Sequence, residues 1–276
     1  MLLLFLHSVA LTTPSATATA ARWRVAHVGD IPESEAPIAD CFLEGDAVIV
    51  AADMVSKNEC AALVTAASQT AASYQLSRES TGLDNEGLVR VPTVLAKARA
   101  EATKTPCATP LPAEADALVT TLLERIMEFV DDELPTISDA LFGGAILPLH
   151  TSGALEFSSR EPTVNVYGPG GEFLAHKDHQ ALTVLVPLTS PSSDFDGGGT
   201  AFWAQDSRGH RVAPPTLTLR PPAGTCLLFG GHSTHAGTPV ISGKRCVLVA
   251  SFSVQGGKAQ RAADAASSRD IYGDLI

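Results

Sequence analysis

Short apolar runs and one long amphipathic stretch organise the chain. DAVIVAA at residues 46–52 predicts a strand, and MVSKNECAALVTAAS after it predicts a helix. There Ser56 and Glu59 have capping-box spacing, and Leu63, Val64 and Ala67 continue as a helical stripe. GLVRVPTV alternates as a strand that Pro92 confines to an edge or an end. Residues 98–111 are small, polar and Pro-containing and predict a loop. In PAEADALVTTLLERIMEFVDDELP, Leu118, Leu122, Ile126, Phe129 and Val130 share one face, which predicts a core-packing helix with no chemistry of its own. From residue 142 the period changes. ILPL, TVNVYG, LTVLVPLT, GTAFWA, TLTLRP, TCLLFGG and RCVLVASFS are short β-like runs parted by Gly, Pro, Asp and Ser. Helices first and strands later predict an α+β fold, a β-sandwich or barrel backed by helices. The polar, Ala-rich stretch from Gln255 predicts a terminal helix or tail.

Composition narrows the function classes. The 276 residues are 45% hydrophobic, enough for one large domain with a sizeable core. A formal net charge of -11 with no Lys/Arg cluster argues against nucleic acid or an anionic membrane as the main partner. Five scattered cysteines form no CxxC pair and no disulfide framework. Cys226 and Cys246 read as core residues, and one bridge among Cys41, Cys60 and Cys107 stays open. Residues 1–20 hold an apolar run and then ATATA, with small residues at A-x-A spacing near Ala18 or Ala20. This reads as a secretory signal, with an organelle transit peptide as the alternative. The run is too short to span a bilayer, and no other stretch looks membrane-spanning.

The candidate chemistry begins in EFLAHKDHQALTVLVPL, residues 172–188. If this stretch is extended, His176 and Asp178 share one face and His179 takes the other. A solvated loop explains these charges, and so does a metal site. Two histidines and one carboxylate on one face, leaving three positions open, are the donor set of non-haem Fe(II) oxygenases. Of the remaining histidines, His7 lies in the targeting segment, and His27, His150 and His210 sit in poorly patterned surroundings. His232 and His235, in FGGHSTHAGTPVISGKRCVLV, are the open choices, and a zinc pair made of the two is conceivable.

The block VNVYGPGGEFLAHKD, then DGGGTAFW, then PPAGTCLLFGGHSTHAGTPVISGKR resembles the 2-oxoglutarate- and Fe(II)-dependent dioxygenases, and among them the catalytic domain of prolyl 4-hydroxylases. The resemblance covers roughly residues 158–255 and extends more weakly to residues 48–68. It implies a double-stranded β-helix with flanking helices. With the targeting segment at 1–20 and the tail at 256–276 read from composition, the chain divides into supporting strands and helices over 40–157 and the oxygenase core at 158–255. Carried over by position, the Fe(II) ligands are His176, Asp178 and His235, with His232 the runner-up. Arg245, ten residues after His235, would bind the distal carboxylate of 2-oxoglutarate, with Lys244 the runner-up. Tyr167 and Thr183 would line the cosubstrate pocket, and each also reads as an ordinary core residue. Gly197, Gly198 and Gly199 read as a tight turn, with Phe202 and Trp203 as packing or pocket rim.

Fe(II), 2-oxoglutarate, O2 and ascorbate are the implied cofactors and cosubstrates. The implied reaction is hydroxylation of a C–H bond, first of all in peptidyl proline, with release of succinate and carbon dioxide. The partner expected is a Pro-containing peptide or protein, the compartment the lumen of the endoplasmic reticulum. The alternatives are a dioxygenase for another residue or a small molecule, and a non-catalytic β-barrel binding protein.

Overall fold

A computed structural model describes residues 22–29, 38–76, 87–104, 107–204 and 214–256. The targeting segment, His7, His210 and the tail from 257 lie outside the described residues.

The strand runs close into two facing sheets. The larger is antiparallel, in the order β1 (Trp23–His27), β2 (Ala47–Ala51), β11 (Cys226–Gly230), β7 (Leu182–Pro187), β14 (Arg245–Val254), β5 (Thr163–Tyr167) and β3 (Leu88–Pro92), with β4 (Leu155–Phe157) beside β14. The smaller runs β10 (Leu217–Leu219), β9 (Thr200–Trp203), β12 (Thr234–Gly237) and β6 (Phe173–His176). A hairpin-like pair, β8 (Phe195–Gly197) with β13 (Val240–Gly243), lies off both sheets. This is the double-stranded β-helix anticipated from sequence, with helices packed on the outer face of the larger sheet. The edge position of β3, with Pro92 as its last residue, follows from the missing N–H of proline.

Every residue of β2, β5, β7 and β11 is buried, because both faces of the large sheet are covered. That is why these strands read as nearly unbroken apolar runs rather than alternating ones. One core layer fills the space between the sheets, with Val48, Phe202, Leu227, Phe229 and Val247. The second seats the helices α2 (Lys57–Leu76) and α4 (Ala113–Glu133) against the outer face, with Leu63, Leu122, Ile126, Val164, Leu248 and Phe252. The capping box forms as spaced: Ser56 N donates to Glu59 Oε2 at 2.8 Å, and Glu59 N donates to Ser56 Oγ at 3.3 Å. Glu59 also holds Arg125 of α4 at 2.8 Å, tying the two helices together.

Two expectations are corrected. The stretch 98–111 is not wholly loop, because α3 (Val94–Ala102) occupies its first part, capped by Thr93 Oγ1 accepting from Ala96 N at 3.2 Å. ILPL is not a strand but the start of α6 (Ile146–Thr151), which follows the short helices α1 (Ile38–Glu44) and α5 (Pro135–Phe142) in chain order. Its N-cap residue Ala145 has no side-chain acceptor to offer. The Asp131 carboxylate near the end of α4 accepts from Ile146 N at 2.7 Å and Leu147 N at 2.9 Å instead, so a tertiary cap decides a local conformation. All five cysteines are free, Cys226 and Cys246 buried as expected, and the open bridge among the others does not form. No helix among the described residues is long and apolar enough to cross a membrane.

Candidate metal centre and cosubstrate pocket

His176 is the last residue of β6, and His235 lies directly opposite it on β12 in the antiparallel register. Their ring centroids are 4.3 Å apart. The extended geometry anticipated for the H-x-D stretch ends at His176. Asp178 lies past the strand, and His179 follows with φ +57° and an exposed side chain. The chain turns there, which aims the Asp178 carboxylate back at the two rings. His176 Nε2 lies 3.2 Å from Asp178 Oδ1, and His235 Nε2 lies 3.6 Å from Asp178 Oδ2. One potential ligand atom from each of the three residues falls within 4.8 Å of the other two. His232 is exposed and outside this cluster.

Hydrogen bonds set the tautomers. His176 Nδ1 lies 2.8 Å from the Leu174 carbonyl, and His235 Nδ1 lies 3.2 Å from the Ser233 carbonyl. A carbonyl only accepts, so each Nδ1 carries a proton and each Nε2 faces Asp178, as a donor to the carboxylate when the ring is protonated and as a lone pair for a metal ion when it is neutral. Thr183 Oγ1 donates to Asp178 Oδ2 at 2.6 Å, fixing the carboxylate from behind. Burial alone would raise the Asp178 pKa, but the His176 hydrogen bond, the His235 charge and the Thr183 bond outweigh it and hold the carboxyl well below its usual range. Burial pulls His176 down, yet the bond and charge of Asp178 leave it raised. His235 is lowered, chiefly by burial. An ionised carboxylate with two imidazole lone pairs aimed at one point fits a divalent ion of the Fe(II) type, with further coordination positions left for other ligands.

The three side chains line a pocket between the sheets. Arg245, the first residue of β14, lines it and is 3% exposed. It donates to Thr200 Oγ1 at 3.1 Å, and its Cζ sits 5.1 Å from the Tyr167 ring centroid. Tyr167 is its cross-strand neighbour on β5. Among the described residues no carboxylate lies within ion-pairing distance of Arg245, and burial, opposed by Tyr167, lowers its pKa. Lys244, the runner-up, is exposed. Tyr167 lines the cavity; Thr183 stands behind Asp178 instead of on the cavity wall.

Sequence reasoning missed the four other polar lining residues, Thr200, Asn165, Arg90 and Glu161. Thr200 was within reach, since it closes the glycine run in which Gly198 takes φ +58° and would bring a Cβ within 3.1 Å of Arg245 Cδ. Asn165 stands two residues before Tyr167 on one strand, hence on the same face. Arg90 is the lone charge in an apolar strand. Glu161 carries no local signal.

The profile described as the 2OG-Fe(II) oxygenase superfamily matches residues 162–252. No curated protein matches the chain. Similar solved structures include the viral collagen prolyl hydroxylase vCPH from Paramecium Bursaria Chlorella virus-1 in its 2OG complex, at 16% identity over 77% of this chain and 98% of that one, TM-score 0.46. A prolyl hydroxylase from Trichoplax adhaerens, bound to a hypoxia inducible factor peptide fragment, shares 14% identity over 81% and 90%, TM-score 0.44. The alpha ketoglutarate dependent epimerase SnoN from nogalamycin biosynthesis shares 14% over 79% and 82%, TM-score 0.44. These proteins differ in reaction, and likeness at this level carries no argument about substrate. Residues 162–252, the stretch that holds the histidine–carboxylate cluster and Arg245, form an Fe(II)- and 2-oxoglutarate-dependent dioxygenase domain of the 2OG-Fe(II) oxygenase superfamily.

Proposed function

We propose that the chain hydroxylates a C–H bond of peptidyl proline in the secretory pathway, with ascorbate as the supporting reductant. His176, Asp178 and His235 would hold Fe(II) through two Nε2 atoms and the carboxylate. Thr183 keeps Asp178 in the ligating orientation. Arg245 and Thr200 receive the distal carboxylate of 2-oxoglutarate, a guanidinium being suited to two parallel hydrogen bonds with a carboxylate, and Tyr167 packs along the guanidinium. Fe(II) held there would supply, with 2-oxoglutarate and O2, the oxidising power of a reaction whose products are succinate, carbon dioxide and a hydroxylated substrate. The β-sheets around the cavity exclude bulk water and fix the cosubstrate between the triad and Arg245.

One observation carries the reading: a buried guanidinium with no carboxylate partner among the described residues shares a cavity with a two-histidine, one-carboxylate cluster. Such a cation awaits an anion, and 2-oxoglutarate brings one to the far end of the site. The secretory assignment rests on the residue pattern of the first 20 positions. Removing them would leave β1 and its pairing of Trp23 with Ala51 in place.

The test incubates the protein with Fe(II), ascorbate, labelled 2-oxoglutarate and proline-rich peptides. Iron-dependent succinate release and a peptide mass gain of one oxygen atom on proline are expected. Succinate release without a gain on any such peptide refutes proline as the target, and no succinate release refutes the catalytic reading. A protein that keeps its first 20 residues in the cytosol refutes the compartment.

A further inference from the structure

The cavity holds a second guanidinium whose circumstances are the reverse of those of Arg245. Arg90 on β3 lies 3.1 Å through Nη2 from Glu161 Oε1, with side chains 13% and 7% exposed. Glu161 is otherwise complete: its Oε2 accepts from Ser251 N at 2.7 Å and Ser251 Oγ at 2.6 Å. Arg90 is not. Of its five N–H donors, only the one to Glu161 is taken up among the described residues, and Nε is buried without a partner. Asn165 lies directly across from Arg90 in the β3–β5 register. Its amide donates to the Tyr167 hydroxyl at 3.3 Å, while its Oδ1 is buried with no donor. Two adjacent groups, one short of an acceptor and one short of a donor, thus stand in one wall. Buried polar groups are normally satisfied, so an under-satisfied pair in a cavity marks partners that arrive with a ligand.

The position is near the chemistry. Phe173 packs 5.4 Å from Arg90 Cζ and 4.6 Å, ring to ring, from His176, so a single half-buried ring separates Arg90 from the metal centre. Charge then separates the two arginines. Arg245 carries an unmatched positive charge and suits a carboxylate. The charge of Arg90 is already matched by Glu161, so a second carboxylate gains little there and a neutral carbonyl is the better acceptor. In an extended peptide one residue presents its N–H and C=O on the same side, which is the complement of this wall.

We propose that Arg90 and Asn165 form the subsite for the backbone of the residue beside the hydroxylated one, its C=O at the Arg90 guanidinium and its N–H at Asn165 Oδ1. The inference rests on the oxygenase reading above and makes the enzyme selective for peptides over free acids. Phe173 is the ring that yields to admit them.

The test measures equilibrium binding with Zn(II) in place of Fe(II), in the presence of 2-oxoglutarate, so that no turnover intervenes. The probes are acetyl-(Pro-Ala)4-amide and acetyl-(Pro-Sar)4-amide, the second having sarcosine in place of alanine and hence no backbone N–H along its repeats. The parent protein should bind the sarcosine peptide roughly tenfold more weakly, the effect of one unmade buried hydrogen bond. Arg90→Lys keeps a cation for Glu161 but loses the guanidinium fork. It should weaken the alanine peptide about tenfold while 2-oxoglutarate affinity moves less than twofold. Equal affinity for the two peptides, an unchanged alanine peptide in Arg90→Lys, or an equal loss of 2-oxoglutarate affinity overturns the subsite. If Arg90→Lys does not fold, the sarcosine comparison on the parent decides alone. Succinate release with Fe(II) but no binding of either peptide overturns this inference and leaves the oxygenase reading standing; absence of succinate release takes both down.

Discussion

Arg245→Met separates what the buried guanidinium does for the fold from what it does for the cosubstrate. In the parent a cation 3% exposed has no counter-charge among the described residues. Taking an ion out of water costs several kcal/mol, of which the Tyr167 ring returns about 2 and a hydrogen bond such as that to Thr200 about 1. A deficit on the order of 1 kcal/mol or more remains, so the methionine variant should melt no lower than the parent without ligand, and up to a few degrees higher. With 2-oxoglutarate at about 100 times its Kd and Zn(II) present, the parent gains about 2.7 kcal/mol, or about 5–10 °C at 2–4 °C per kcal/mol. Loss of the charge-assisted pair, about 2–5 kcal/mol, raises Kd at least about 30-fold. The same 2-oxoglutarate then stands at no more than about 3 Kd and stabilises the variant by at most about 0.8 kcal/mol, or about 2–3 °C. Thermal melting of both proteins with and without 2-oxoglutarate reads all four values. A variant that melts far below the parent without ligand would make Arg245 a structural residue. An equal ligand shift in both would place the cosubstrate elsewhere.

Asp178→Ala should abolish succinate release and weaken metal binding, and His235→Ala should be more harmful than His232→Ala; the reverse order in a metal titration would reassign the distal ligand. Thr183→Val removes the 2.6 Å bond to Asp178 and should lower metal affinity about 10–100-fold with the fold intact, checked by competition with a chelator. Hydrogen bonds from Arg125 hold the Glu59 carboxyl down at about 2, against 4.5 ordinarily. A depressed pKa contributes stability above the unfolded value, so this contribution is complete above about 4.5 and fades as pH falls toward about 2. Glu59→Gln should therefore cost about 1–2 kcal/mol at neutral pH, with the gap to the parent closing across that window in denaturant titrations.

How much was legible depends on the distance over which each feature is decided. The capping box at Ser56 and Glu59 and the face of α4 are settled within a few residues, and both were readable. β5, β7, β11 and β14 were readable because burial on both faces makes them nearly continuous apolar runs, whereas the more exposed β8 and β13 gave no such run. H-x-D announces itself locally, but its geometry does not: the turn at His179 that points Asp178 at the histidines has no signature in the alternation. The choice of His235 over His232 came from resemblance alone; in the fold it is the cross-strand register with His176 that singles out His235. The helix at Ile146 was misread because its cap, Asp131, lies 15 residues away, and the Arg90–Glu161 pair was invisible because its partners are 71 residues apart. Local chemistry reads from sequence, whereas pairing across the sheets does not.

The antiparallel pairing of His176 with His235 also bears on how the chain is knitted together. An ion held there would join two strands of the small sheet at points far apart in sequence and, through Asp178 and its bond to Thr183 on β7, reach into the large sheet. In topological terms it is a cross-link that closes a long loop, in a chain whose five cysteines provide none. Closing long loops removes freedom mainly from the unfolded ensemble. Loading the metal would then act on the whole barrel as a rivet acts on two plates, slowing the separation of the sheets as well as preparing the chemistry between them.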